Sequence, residues 1–490
     1  MTDRVEDFLA AQSSARPQAP ALSDSLDQRW TFAELDRAAQ AGQTVLSGVG
    51  VGPGDRVVIV LENCNAAVAM LFAAWRLGAV AVPINARQSP PELARVLAHA
   101  GPAAVVYTSL ASPDAAQHAA GAGATRHQGA FGMIDVAAHP RGAPAPDPDL
   151  AVLLYTTGTT GTPKGVMLSH ANLRFGGLAS ARLRQMTADD LIYGVLPMTH
   201  VFGLASVMVA GVSAGCPIRL EARFSAATLY QALQDGVSLL PAVPQMHALL
   251  MQYTQSKAMP RLGSTRLRYV SSGAAPLDPE WKRKAEAFYG VALQNGYGLT
   301  ETTAGVCATT HPIGLADISV GPPLPGVQIK IDPATNEILT QGPNVMLGYF
   351  NNPQDTAAAF AADGWLRTGD LGRIDDKGQL HILGRLKELI IHGGFNVYPP
   401  EVEAALNAHP QVIQSAVIGR PRNGDEDILA FVQVADENAL QPETLHTFVK
   451  DRLAGYKRPA QIILTTNLPT APTGKILKHR LLDSFADHLT

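Results

Sequence analysis

Tyr155-Thr156-Thr157-Gly158-Thr159-Thr160-Gly161-Thr162-Pro163-Lys164-Gly165 follows directly on the apolar run Leu150-Ala151-Val152-Leu153-Leu154-Tyr155, and this passage decides how the chain is read. The apolar run reads as a buried strand. The loop after it carries three Gly, five Thr and one Lys, a composition that wraps phosphate with backbone N–H groups, hydroxyls and an ammonium. As a bare turn it would be costly to order, because glycine loses the most freedom on folding. It is not a Walker A loop: four residues after Gly158 stands Pro163 where that motif needs Gly, and Gly165 stands where it needs Ser or Thr. No G-x-G-x-x-G occurs either, since Gly48-Val49-Gly50-Val51-Gly52-Pro53 ends in Pro.

Working outward, Gln28 to Asn85 alternates apolar and amphipathic runs. Trp30-Thr31-Phe32 predicts a strand, Ala33 to about Leu46 a helix, and Arg56-Val57-Val58-Ile59-Val60-Leu61 a second strand, the order of a layered α/β domain. Val105-Val106-Tyr107 predicts another buried strand, and the proline-rich segment 139–149 a connector that is neither helix nor central strand. The last hundred residues change texture, with short strands at His381-Ile382-Leu383, Ser415-Ala416-Val417-Ile418 and Leu429-Ala430-Phe431-Val432 between charged helices. They read as a small α+β domain, with the junction near Gly384-Arg385-Leu386-Lys387-Glu388 after the turn Asp375-Asp376-Lys377-Gly378.

Composition narrows the function classes. The 490 residues have a net charge of −4 and are 46% hydrophobic and 16% charged, enough for a large packed core and without the basic tract that nucleic-acid binding needs. Cys64, Cys216 and Cys307 are widely separated, which argues against a disulfide framework or a thiolate zinc site and for a reducing, cytoplasmic compartment. The start MTDRVEDFLAAQ is acidic where a secretory signal would be basic and apolar. Leu191 to Ile218 has no charged residue, but its apolar core from about Phe202 to Gly215 falls short of the roughly 20 residues of a membrane span and predicts a buried helix.

Taken together, YTTGTTGTPKG, LPMTHVFG (196–203), SSGAAPL (271–277), NGYGLTET (295–302), GWLRTGDLG (364–372), GRLKELIIHGGFNVYPPEVE (384–403) and PTGKILKHRL (472–481) resemble, in order and essentially end to end, the adenylate-forming superfamily of acyl-CoA synthetases, firefly-type luciferases and nonribosomal-peptide adenylation domains. The resemblance implies an α/β fold: a large N-terminal domain over 1–386, of two α/β subdomains and a small β-barrel, then a small mobile α+β domain over 387–490.

The motif residues have chemistry suited to such an enzyme. In NGYGLTET, Tyr297 offers an aromatic face for adenine, Thr300 a hydroxyl for phosphate and Glu301 an acceptor-only carboxylate for a hard divalent ion. Asp370 can accept both ribose hydroxyls. By resemblance, Thr156 is a second contact to the Mg²⁺ site. Thr157, Gly158, Thr159, Thr160, Gly161 and Lys164 hold phosphate, and Gly273, Ala274 and Ala275 with Asn295 and Gly296 frame the adenine. Arg385 joins Asp370 at the ribose, and Lys475 is the catalytic lysine at the α-phosphate, where negative charge gathers as the acid attacks. A carboxylic acid with a pKa near about 4 is already ionised at neutral pH, so this step needs no general base.

For the second step the resemblance makes Lys387 a hinge about which the small domain swaps Lys475 for Gly393-Gly394, beside which a pantetheine arm passes, and His200 the gate to the acyl pocket. Thr199 to Gly203 holds no carboxylate for an amino-acid ammonium, and Ala304 to Val320 no Lys or Arg for a second carboxylate. Val201, Phe202, Ala242, Val243, Ala304, Gly305 and Val306 then leave an apolar pocket for a monocarboxylic acid, a medium- or long-chain fatty acid ahead of an aromatic one. ATP, Mg²⁺ and coenzyme A are the implied cofactors. A carrier protein is the alternative acyl acceptor, and a homodimer is compatible with the same reading. A non-catalytic nucleotide sensor would have no need of Lys475, Glu301 and an intact loop together.

Overall fold

Strands apolar on both faces are the ones that sheets bury between helices, and Arg56–Leu61 is buried at every position. The computed structural model describes residues 3–145, 147–157, 163–259, 261–263, 265–273, 277, 279–422, 425–470 and 476–489. In it Arg56–Leu61 pairs in parallel with Val80–Asn85 and with Ala104–Tyr107. These strands lie inside an eight-stranded sheet that runs from Gly348–Tyr349 through Pro163–Ser169 and Leu150–Thr157 to Thr125–Gly129.

A second eight-stranded sheet holds, in order, Cys307–Ala308, Leu293–Tyr297, Tyr269–Ser272, Leu239–Ala242, Ile192–Gly194, Ile218–Leu220, Pro20–Ser23 and Arg29–Thr31. One continuous core joins the two sheets: Val57, Ile59 and Leu61 of the first and Ile192, Ile218 and Leu239 of the second belong to the same cluster. The helix Asn65–Arg76 within that cluster is apolar and buried around its circumference. The uncharged run near residue 200 is buried too, as a wide π-helical segment Phe202–Val209 that continues into Ala210–Ala214. No described helix is long and apolar enough to cross a membrane.

The expected small β unit is a four-stranded antiparallel sheet, ordered Gln328–Ile331, Glu337–Gln341, Leu366–Ile374, Leu380–Arg385. His381 to Leu383 therefore lies in this sheet and not with the C-terminal strands. Its pairing with Leu366–Ile374 across the tight turn at Asp375–Gly378 decides that, where composition alone had not. Residues 139–145 and 147–149 have neither helix nor strand, as their prolines require.

Toward the C-terminus, Asp425–Val434 pairs antiparallel with Val412–Arg422 and parallel with Gln461–Thr465. Its alternation gives each face a core, with Ile428, Ala430 and Val432 in one cluster and Leu429 and Phe431 in another.

Two residues after Arg56–Leu61 stitch the first sheet to the second. Glu62 takes a bidentate pair from Arg223 at 2.9 and 3.1 Å. Asn63, 3% exposed, donates to the carbonyls of Gly194 and Leu196 at 2.9 Å each and accepts from the Met198 amide at 3.0 Å. All three bonds land on the approach to His200, so Asn63 sets that motif's path. Asn63→Ala strands three buried backbone groups and is expected to cost about 3 kcal/mol, read as a lower denaturant midpoint. Asn63→Asp should be at least as damaging, because a carboxylate cannot donate to the two carbonyls.

Candidate active site

Parallel strands that end side by side present their carboxyl ends to one crevice. Here the register aligns Ala242 with Ser272 and Ser272 with Asn295. Three sequence-distant segments thus emerge together: Ala242-Val243, Ser272-Gly273 and Asn295-Gly296-Tyr297. Ala274 and Ala275 lie outside the described residues. The Phe202 ring packs on Gly273, where an added Cβ would stand 3.1 Å from it, so the start of the wide helix touches the end of the middle strand at this glycine.

Beneath the middle strand lies a residue that the sequence reading missed. His247, fully buried, sits 3.2 Å by Nε2 from the Ser271 carbonyl and 2.8 Å by Nδ1 from Tyr289 Oη. Burial pushes its pKa down to about 4. The neutral ring has one N–H, which must go to the carbonyl, so Nε2 donates to Ser271 and Nδ1 accepts from Tyr289.

On the nucleoside side, Asn295 is committed to backbone, donating to the Ser319 carbonyl at 3.0 Å and accepting from the Gly296 amide at 3.0 Å. Tyr297 Oη donates to Asp370 Oδ2 at 2.7 Å, and Arg385 Nε lies 3.2 Å from Asp370 Oδ1. Asp370 and Arg385 are register partners, which explains their pairing. Burial first, then the Asp370 charge, holds the Tyr297 phenol well above its ordinary range.

The glycine- and threonine-rich segment is flanked by two paired strands. Leu150–Thr157 pairs antiparallel with Pro163–Ser169, placing Thr156 opposite Lys164 and Thr157 opposite Pro163. This pairing extends the strand past Tyr155, where the sequence reading had placed the loop. Gly158, Thr159, Thr160 and Gly161 fall outside the described residues.

Lys164 gathers a cluster. Its Nζ is 2.6 Å from Asp355 Oδ2 and 5.2 Å from the centre of the Tyr349 ring. Tyr349 Oη donates to Glu301 Oε1 at 2.8 Å. Burial and the Glu301 charge push the Tyr349 phenol up, while Lys164 holds the Asp355 carboxyl below its usual range. Asp355 stands in the first turn of the helix Pro353–Ala359, where Asn352 caps its amide at 2.9 Å. Neither Tyr349 nor Asp355 was found from sequence; a Tyr two residues short of Asn351-Asn352-Pro353 carries no chemical signature.

Glu301 leads into a strained turn. Thr303 and Ala304 both have left-handed φ, +48° and +72°, at a cost on the order of 1–3 kcal/mol each. Asn344 holds the turn, accepting from Thr303 Oγ1 at 2.7 Å on its carbonyl and donating by Nδ2 to the Gly305 carbonyl at 2.8 Å. Of the expected pocket residues, Phe202, Val243, Ala304 and Gly305 are half-buried, whereas Val201, Ala242 and Val306 sit inside three separate cores. Thr300 is buried and His200 exposed.

Lys387, Gly393 and Gly394 are exposed, and the Lys387 charge also acts on Asp355. Lys475 lies outside the described residues. Among the described residues no three His, Cys, Asp or Glu side chains converge on a metal position. Mg²⁺ needs no such cage: one or two carboxylates and substrate phosphates suffice. Among the described residues only Oε1 of the Glu301 carboxylate has a hydrogen-bond partner, so its other oxygen fits that role.

A family model described as AMP-binding enzyme matches residues 9–350, and one described as AMP-binding enzyme C-terminal domain matches residues 401–475. The chain is 33% identical to 4-coumarate–CoA ligase 5 of Oryza sativa subsp. japonica, over 95% of this chain and 91% of that one. It is 32% identical to long-chain-fatty-acid–CoA ligase FadD13 of Mycobacterium tuberculosis (strain ATCC 25618 / H37Rv), over 98% of each. The solved structure of O-succinylbenzoate coenzyme A synthetase (MenE) from Bacillus subtilis, in complex with ATP and magnesium ion, matches with a TM-score of 0.82 at 30% identity, covering 97% of this chain and 98% of that one.

The Tyr349–Glu301 bond gives a direct test of the cluster. Tyr349→Phe keeps the ring under Lys164 but frees the carboxylate, and is expected to weaken ATP binding in the presence of Mg²⁺ by about tenfold. Calorimetric titration with and without Mg²⁺ should show the loss only with the ion.

Proposed function

We propose that this chain, which belongs to the AMP-binding enzyme family and is an AMP-forming acyl-CoA synthetase, activates an apolar monocarboxylic acid, with a medium- or long-chain fatty acid as its preferred substrate. The observation that carries this is the wall of the acyl segment. Its half-buried surface is Phe202, Val243, Ala304 and Gly305, apolar throughout and small at two positions, and the stretch Ala304 to Val320 contains no Lys or Arg to meet a second carboxylate. An aromatic acid is the second reading, supported by the likeness to the 4-coumarate ligase.

In this reading the acid carboxylate attacks the α-phosphorus of ATP and pyrophosphate leaves. Thr156 and Glu301 would hold Mg²⁺, which when bound would neutralise phosphate charge. Lys164 leaves Asp355 for the phosphates, the hairpin loop wraps them, and Lys475 offsets the charge that develops at the α-phosphate. Tyr297 stacks on adenine against Gly273, while Asp370 and Arg385 take the ribose. The protein's task is positioning, since no proton moves.

Acyl transfer follows a rotation at Lys387 that moves residues 387–490 against 1–386 and brings Gly393-Gly394 to the cleft. The thiol of coenzyme A then attacks the acyl carbonyl and forms the carbon–sulfur bond, its proton passing to solvent; the carbon–oxygen bond to AMP breaks, and AMP leaves with the bonding pair on its phosphate. His200, exposed just before the wide helix, is in this reading the gate between the thiol's path and the acyl pocket.

The test is pyrophosphate release with MgATP across carboxylates from acetate to palmitate, with benzoate, 4-coumarate and malonate, each with and without coenzyme A. Turnover that requires coenzyme A and peaks between about eight and sixteen carbons is the expected result. A peak at 4-coumarate would replace the fatty acid by the aromatic one, and a peak at malonate would overturn the apolar reading.

A further inference from the structure

The strands Ile390–His392 and Phe395–Val397 form a hairpin that turns at Gly393 and Gly394, with φ of +58° and +77°. Outward the turn is open: a Cβ on either glycine would meet nothing within 4 Å. Strands this short do not hold a hairpin by themselves, and two consecutive glycines have the greatest freedom to lose. Something else must fix the turn.

Two consecutive acids at the start of Asp425–Val434 do so. The Gly393 amide donates to both Asp425 oxygens, at 2.9 and 3.0 Å. The Ile391 amide donates to Glu426 Oε2 at 2.6 Å, and His392 Nδ1 donates to the Glu426 carbonyl at 2.6 Å. His392 Nδ1 also lies 3.5 Å from Asp425 Oδ2. The arginines across the ladder, Arg420 and Arg422, pair with Asp427 at 3.2 and 3.0 Å. The Asp425 carboxylate is thus the group turned to the glycine pair, and its bonds to an amide are charge-assisted.

We propose that Asp425 is a positioning residue for the coenzyme A half-reaction: by clamping the Gly393 amide it fixes the turn beside which the thiol-bearing arm passes, while taking no part in adenylate formation. This rests on the reading of Gly393-Gly394 given above. Preorganisation of the turn is the physical content, because a flexible passage must be ordered anew each time the thiol attacks. No sequence motif marks Asp425; it reaches the hairpin only because the central strand begins beside it.

The experiment separates the two half-reactions, using the acid that turns over fastest in the panel above. In Asp425→Ala, acid-dependent ATP–pyrophosphate exchange should stay within about twofold of the parent enzyme, while thioester formation from preformed acyl-adenylate and coenzyme A should fall about tenfold or more. Asp425→Asn, which keeps one acceptor, should fall less. Hydrogen–deuterium exchange over residues 390–398 should quicken in Asp425→Ala. Equal losses in both half-reactions, no loss in either, or unchanged exchange would overturn the proposal. Gly394→Val distinguishes the underlying reading. If it slows acyl transfer and Asp425→Ala does not, Asp425 has no such role although the passage stands; if neither slows it, the passage itself is elsewhere and the proposal falls with it.

Discussion

The register of three parallel strands is the constraint on which the site depends. Ala242, Ser272 and Asn295 are side by side because their strands pair in parallel, so the segments that follow them leave the sheet together at the carboxyl ends of the strands. A slip of one residue would turn each strand's side chains to the opposite face. His247 holds the middle strand through its Ser271 carbonyl, and the shared core holds the second sheet against the first, from which the phosphate hairpin extends.

Charge placement follows from that frame. Lys164, Tyr349, Glu301 and Asp355 form one connected cluster, in which Lys164 is paired with an acid and Tyr349 with another. Asp370 is likewise engaged by Tyr297 and Arg385.

The C-terminal unit solves a different problem. It carries its own two-faced core around Asp425–Val434, and that strand's first residues reach out to an exposed glycine turn.

Sequence by itself determined whatever is made by neighbours along the chain: the strand Arg56–Leu61, the helix from about Ala33 and the uncharged run as buried helix. Spacing encodes these because backbone periodicity and loop composition are local properties. It misplaced His381 to Leu383 and stopped the Leu150 strand at Tyr155, since both depend on which strand pairs alongside. Only the tertiary structure decided the contacts of Lys164 with Asp355, Tyr349 with Glu301, His247 with Ser271 and Gly393 with Asp425. Each joins residues far apart in the chain through an ordinary-looking Tyr, His or Asp, and such a residue acquires a role only when sheet register and core packing bring its partner within hydrogen-bond reach.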